Sequence, residues 1–181
     1  MTRIGGALNG LVDGRIGEGW SGRDPDGAHV NVVLAERGTP TAAALLTAFA
    51  SPTPGHTPIL VVVGEDKDRY EPVWPPTIMM NKATATEDRH QTITWGAGQL
   101  GIAQGVLDAV AEGLLDPTQE VLVFVAIYIE PTADDETAVR VASRAATLKG
   151  IRMAKRGRDA EAVQALVDRR DSITSPFYNG R

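Results

Sequence analysis

The chain of 181 residues contains no cysteine. That removes disulfides, thiolate nucleophiles and sulfur-ligated metals together, and it suits a reducing compartment. Long apolar runs are also missing. The longest, Val121 to Ile129, is far below the roughly 18 residues that a membrane span requires, and "MTRIGGALNGLVDG" holds no apolar core of signal-peptide length. A soluble, cytoplasmic protein is therefore expected. Histidine is scarce: His29, His56 and His90 lie in separate segments, with neither H-x-x-x-H nor H-E-x-x-H spacing, so no metal site is expected. Positive charge is short as well. With a formal net charge of -5 and no long basic stripe, nucleic acid and anionic membranes are poor candidate partners.

What remains is the composition of a globular enzyme-sized domain: 43% hydrophobic and 23% charged residues, enough for one sizeable core. No internal repeat and no linker interrupts it. An initial strand or hairpin is expected over residues 3–12, then a Gly-rich turn from Gly14 to Gly27. A strand at 28–35 leads to "GTPTAAALLTAF", where Thr39 caps a helix and Pro40 takes its first position, at which a missing N–H costs nothing. "ILVVV" at 59–63 reads as a buried strand, "GEDKDRYEPVWPP" as a solvated loop, and "TIMMNKAT" as another strand. From Thr86 to Leu115 the pattern is helical, with Ile102, Val106, Val110 and Leu114 as a core stripe. "VLVFVAIYI" is a central strand, and residues 135–155 and 159–170 are two helices broken at Gly157. Strands and helices mix without strict alternation, so an α+β fold is expected.

Within "DGAHVNVVLAERGTP" the side chains alternate between the faces of a strand. Ala28, Val30, Val32 and Leu34 form a core face, which leaves His29 and Asn31 side by side on the other. His29 is either an exposed strand residue or a functional imidazole, whereas His56 and His90 are expected at the surface. On the strand "TIMMNKAT", Met80, Lys82 and Thr84 share a face. A lysine there must meet water, an anion or a ligand, because an unpaired buried charge is very costly. Thr84 and Glu87 have the spacing of a helix capping box. "GAGQLG" at 96–101 matches G-x-G-x-x-G, but its helical setting favours small residues for close packing over a dinucleotide loop. Asp134-Asp135 and Glu65-Asp66 fall in loops or at helix starts, and "RMAKRGR" at 152–158 is a solvated helix end.

The segments "GAHVNVVLAERGTP", "GHTPILVVV", "IMMNKAT", "WGAGQLGIAQGVLDAVAEGLL" and "SITSPF", in that order, resemble the formaldehyde-activating enzymes from about residue 28 to the C-terminus. The specific part is N-K-x-T, then Q-x-G fifteen residues beyond the threonine, then DAVAEG. The resemblance implies a cytoplasmic hydro-lyase of one-carbon metabolism and formaldehyde detoxification. Such an enzyme joins formaldehyde to tetrahydromethanopterin, or a related reduced pterin, giving the methylene-pterin and water. The pterin is then a co-substrate, with no permanently bound cofactor. It also implies a single domain over 1–181 of the ribosomal-protein domain 2-like type, with a left-handed βαβ crossover. Residues 1–27 would form an N-terminal extension or hairpin longer than the family's short lead-in. The assembly implied is a homopentamer with sites between subunits.

Residue by residue, the family's catalytic proton donor falls on His29 and its substrate-binding positions on Asn31, Leu60, Lys82, Thr84 and Gln99. The family carries an aspartate where this chain has Asn31, so His29 here has a neutral neighbour in place of a charge. The alternative function is a paralogue of altered specificity that binds a pterin or another small heterocycle without catalysis.

Overall fold

The structure, a computed structural model, describes residues 12–175 together with residue 178. In chain order it contains strand β1 (Arg15–Ser21), β2 (Ala28–Glu36), helix α1 (Pro40–Phe49), β3 (Ile59–Leu60), β4 (Val62–Gly64), β5 (Tyr70–Pro72), β6 (Thr77–Asn81), α2 (Asp88–Thr92), α3 (Gln99–Ala111), β7 (Val121–Ile129), α4 (Glu136–Arg156) and α5 (Ala160–Asp168). This is a mixed α+β unit. Five strands form one sheet in the order β1-β2-β7-β6-β3, and β4 and β5 form a separate two-stranded ribbon. All pairings are antiparallel except β6 with β7, whose parallel alignment requires the crossover through α2 and α3.

One face of the sheet is closed. Ala28, Val30, Val32 and Leu34 of β2 lie opposite Ile129, Ile127, Val125 and Val123 of β7, and all eight are buried. Each such aliphatic side chain removed from water contributes about 1.5–3 kcal/mol, which makes this face the main source of cohesion. Helix α4 covers it at unusually short range. A Cβ on Gly17 would sit 1.9 Å from the Gly150 carbonyl oxygen, and one on Gly19 would sit 1.9 Å from that of Ala146. The stretch expected to be a Gly-rich turn is thus a strand up to Ser21, its glycines being the inward residues that let α4 approach. Turns remain at Gly14, beside Asp13, and at residues 22–27. The strand or hairpin expected at 3–12 lies outside the described residues apart from Val12.

Other expectations are met with adjustments. Thr39 caps α1, its Oγ1 accepting from Ala42 N at 3.2 Å, with Pro40 in the first turn. Asp13 braces this corner, accepting from Glu36 N and from the hydroxyls of Thr39 and Thr41. The single strand expected at 59–63 splits at Val61, whose N–H donates to Thr77 O while its carbonyl accepts from Val73 N. The chain there changes partners from β6 to β5, so part of the expected solvated loop is a strand.

The helical stretch from Asp88 to Ala111 is continuous but widens into a π-helical turn at Ile93–Gly98. Ile102 and Val106 of the predicted stripe are buried, with Val110 and Leu114 packed beside the core. "GAGQLG" is helical, and Gly101 lies under α4, where a Cβ would meet Arg140 O at 2.4 Å. Asp135 and Asp159 cap α4 and α5, and Gly157, with φ 64°, separates the two helices.

His90 does not lie at the surface. It is 2% exposed, and its Nε2 lies 3.1 Å from Ile129 O, tying α2 to the end of β7. The capping box is also overturned. Glu87 occupies the N-cap of α2 without a side-chain bond, and the hydroxyl of Thr84 turns to His56.

Candidate active site

The opposite face of the sheet is built by the same alternation. In register, Trp20 of β1 faces His29 of β2, which faces Tyr128 of β7, and Glu18 faces Asn31, which faces Ala126. Lys82 continues β6, its N–H donating to Ile127 O at 2.7 Å, so its side chain projects onto this face beyond Met80. Glu18, Trp20, His29, Lys82 and Tyr128 of this face line a cleft of about 850 Å³, together with Asp24 and Glu130.

Glu18, His29 and Lys82 form a connected polar cluster with Asn31 beside them. His29 Nε2 is 2.5 Å from Glu18 Oε1, and a carboxylate only accepts, so Nε2 carries a proton. The ring's Nδ1 faces Lys82 Nζ at 3.3 Å, and the same Nζ donates to Asn31 Oδ1 at 2.7 Å. Asn31 presents its oxygen here because an ammonium is donor-only. The Trp20 ring lies 6.1 Å from the imidazole, centroid to centroid. Partial burial lowers the Lys82 pKa from its ordinary value, while the Glu18 charge acts in the opposite direction. On the far wall, Tyr128 donates to Glu130 Oε2 at 2.6 Å, which raises the phenol pKa. The His29 side chain is 18% exposed and that of Glu18 57%, so the imidazole is held in place yet reachable from solvent.

The six residues singled out from sequence separate into three groups. His29 and Lys82 line the cleft, and Asn31 joins them through its bond to Lys82 Nζ. Thr84 sits two residues beyond Lys82 and bonds His56 Nε2 at 3.0 Å, while His56 Nδ1 faces Asn81 O at 3.0 Å. An acceptor at Nδ1 favours the tautomer protonated there, in which Nε2 accepts and the Thr84 hydroxyl donates. Leu60 and Gln99 are elsewhere. Leu60 lines a cleft of about 350 Å³ with Leu46, Pro72, Trp74 and Leu122. Gln99 follows the π-helical turn, accepts from Val62 N at 3.2 Å, donates to Trp95 O at 3.1 Å, and borders another opening of about 410 Å³.

Sequence reasoning missed Glu18, Trp20, Tyr128 and the His56 contact. The signal for the first two was present in "IGEGWS", where small inward residues alternate with larger outward ones as in a strand. Among the described residues, no group of three or more histidines and carboxylates is placed to hold a metal ion. Nor is any helix long and apolar enough to cross a membrane.

The fold and this cluster define an α+β protein that presents an imidazole, an amine and a carboxylate together on an open sheet face. Such a set is suited to proton transfer around a small carbonyl or amine. The family model described as formaldehyde-activating enzyme (Fae) matches residues 16–178, and the chain belongs to that family. It is 30% identical over 172 residues to a 5,6,7,8-tetrahydromethanopterin hydro-lyase of Methanosarcina barkeri, covering 94% of this chain and 93% of that protein. It is 28% identical to a bifunctional enzyme Fae/Hps of Methanothrix thermoacetophila over 78% of this chain. The same identity holds for another from Archaeoglobus fulgidus over 77%. The chain matches only 36% and 35% of those two longer proteins. The family match begins eleven residues before the first motif quoted above and takes in β1 from its second residue on, which brings Glu18 and Trp20 inside it.

Proposed function

We propose that this protein condenses formaldehyde with tetrahydromethanopterin or a related reduced pterin, giving the methylene-pterin and water. The observation that carries the reading is the coincidence of family membership with an imidazole held between Glu18 and Lys82 at the mouth of a cleft. Amine attack on formaldehyde gives a hydroxymethyl adduct, and loss of its hydroxyl requires a proton. His29 supplies that proton as the general acid, its ring being held by Glu18 on one nitrogen and facing Lys82 with the other. Holding the second pterin nitrogen near the resulting iminium lets the ring close without a second encounter. Asn31 and Lys82 bind substrate beside His29, and Leu60, Thr84 and Gln99 bind the pterin. The pterin is a co-substrate, so the reading needs no resident cofactor.

The assembly proposed is a homopentamer, with the sites between subunits. Two observations support it. In one chain Leu60 and Gln99 border openings separate from the His29 cleft, so a single site using all six residues needs more than one copy. The uncovered sheet face also carries large apolar groups such as Ile16, 69% exposed. For the finer fold we propose the ribosomal-protein domain 2-like arrangement with a left-handed crossover, which the parallel β6–β7 pair joined through helices supports. The entire chain, 1–181, is read as one domain whose N-terminal part forms a hairpin arm with β2, and its location as the cytoplasm.

The test mixes purified protein, formaldehyde and tetrahydromethanopterin and compares adduct formation with the spontaneous rate. Acceleration is expected. A second reading, a pterin-binding paralogue without catalysis, draws on Asn31 standing where the family has a carboxylate. Thermal stabilisation by the pterin without acceleration would establish it instead.

A further inference from the structure

Lys82 has a second possible role besides binding substrate. Its Nζ is the only amine in the cleft among the described residues, and it meets two groups that leave its proton transferable. Asn31 offers a neutral oxygen at 2.7 Å, which does not hold a charge on the amine as a carboxylate would. His29 Nδ1 lies at 3.3 Å, and the proton between the two nitrogens has two placements, on the ammonium or on the imidazole. When it sits on the imidazole, the ring becomes a cation with Glu18 against its other nitrogen, and Lys82 is a free amine. A nucleophile beside a base that a third group orients is the general signature of covalent catalysis.

We infer that Glu18, His29 and Lys82 form a proton relay in which the Lys82 amine captures formaldehyde covalently before the carbon passes to the pterin, an inference that rests on the condensing reading above. The Lys82 nitrogen attacks the formaldehyde carbon. The carbonyl oxygen takes the imidazolium proton and the nitrogen returns one to His29, giving a carbinolamine. The same imidazolium then protonates the hydroxyl, the carbon–oxygen bond breaks, and water leaves a methylene iminium on Lys82. A pterin nitrogen adds to that carbon and its proton goes back to the relay. His29 then protonates the Lys82 nitrogen, the bond from that nitrogen to the carbon breaks to leave an iminium on the pterin, and the second pterin nitrogen closes the ring and gives its proton to His29. The sum is formaldehyde plus two N–H groups giving one N–CH2–N unit and water, with no oxidant or reductant. Glu18 touches no reacting atom in this sequence. It is a positioning residue that keeps Nδ1 toward Lys82 and stabilises the imidazolium.

The experiment exposes the folded protein to isotopically labelled formaldehyde, traps iminium with cyanoborohydride, and locates methylated lysines by peptide mass spectrometry. Lys82 is expected to label faster than Lys67, Lys149 or Lys155, because its amine is held beside an imidazole that can take its proton. Glu18→Gln and Asn31→Asp should each slow labelling at Lys82 and leave the other three lysines unchanged. In a pulse–chase, protein loaded with labelled formaldehyde meets pterin plus excess unlabelled formaldehyde, and the first product formed should carry the label. Uniform labelling of the four lysines, or unlabelled first product, overturns the relay. If pterin condensation is nevertheless accelerated over the spontaneous rate, the condensing function stands and only the covalent route falls. Rapid Lys82 labelling without any acceleration by the protein has the opposite meaning: the captured carbon goes to another acceptor.

Discussion

The two faces of β1 and β2 are made by adjacent residues and do opposite work. Gly17, Gly19, Val30 and Val32 point at α4, where a single added methyl meets backbone. Glu18, Trp20 and His29 point the other way into an open cleft, with Asn31 beside them, and side chains there meet each other and solvent. Stability is concentrated on the first face. The second face contributes little to it and is therefore free to carry an amine, an imidazole and a carboxylate within one hydrogen-bond network. Substitutions one residue apart should consequently fail in different assays.

The largest effect is expected at Gly19. Gly19→Val forces a side chain into the Ala146 carbonyl, and denaturant unfolding should show a loss of at least about 3 kcal/mol, at or beyond the upper range of ordinary overpacking. A stability equal to wild type would mean that α4 does not lie where the structure places it. Next comes Val32→Ala on the same closed face, expected to cost about 2 kcal/mol in lost burial and residual cavity. Against these, Glu18→Gln sits between two inward glycines yet should change stability by less than about 1 kcal/mol, because the Glu18 side chain is 57% exposed. Its cost should show instead as slower condensation.

The smallest effect concerns pH. Asp108 accepts from Arg144 at 2.6 and 2.7 Å, and that bonding lowers its pKa against an opposing contribution from burial. A depressed carboxylate adds stability above its unfolded value of about 3.9 and loses it as pH falls through the folded value. The advantage of wild type over Asp108→Asn should then be constant near neutral pH and shrink in acid. A gap that widens in acid would contradict the pairing.

The sequence revealed the closed face better than the open one. Alternation in "AHVNVVLAE" and the four-residue stripe from Ile102 announce burial directly, since periodicity is set by the same geometry that buries the side chains. "IGEGWS" did not read as a strand, because glycine is usually a turn signal and its use for helix approach depends on α4, over a hundred residues away. His90 was misplaced for a similar reason: its partner, the Ile129 carbonyl, is remote in sequence.

The site was legible in part. His29, Asn31 and Lys82 were found through motif resemblance, and the structure brings those three together. The carboxylate missing at Asn31 was expected to leave His29 with a neutral neighbour alone. Instead Glu18 approaches from β1, a pairing across strands that no spacing within one segment encodes.

The claim that the open face performs the chemistry is tested most directly by one comparison: the rate of formaldehyde condensation with tetrahydromethanopterin for wild type and for His29→Asn at equal thermal stability. The account predicts a wild-type rate above the spontaneous one, with the catalysed component reduced by about 100-fold or more in the variant. A variant that accelerates the reaction as well as wild type would contradict it.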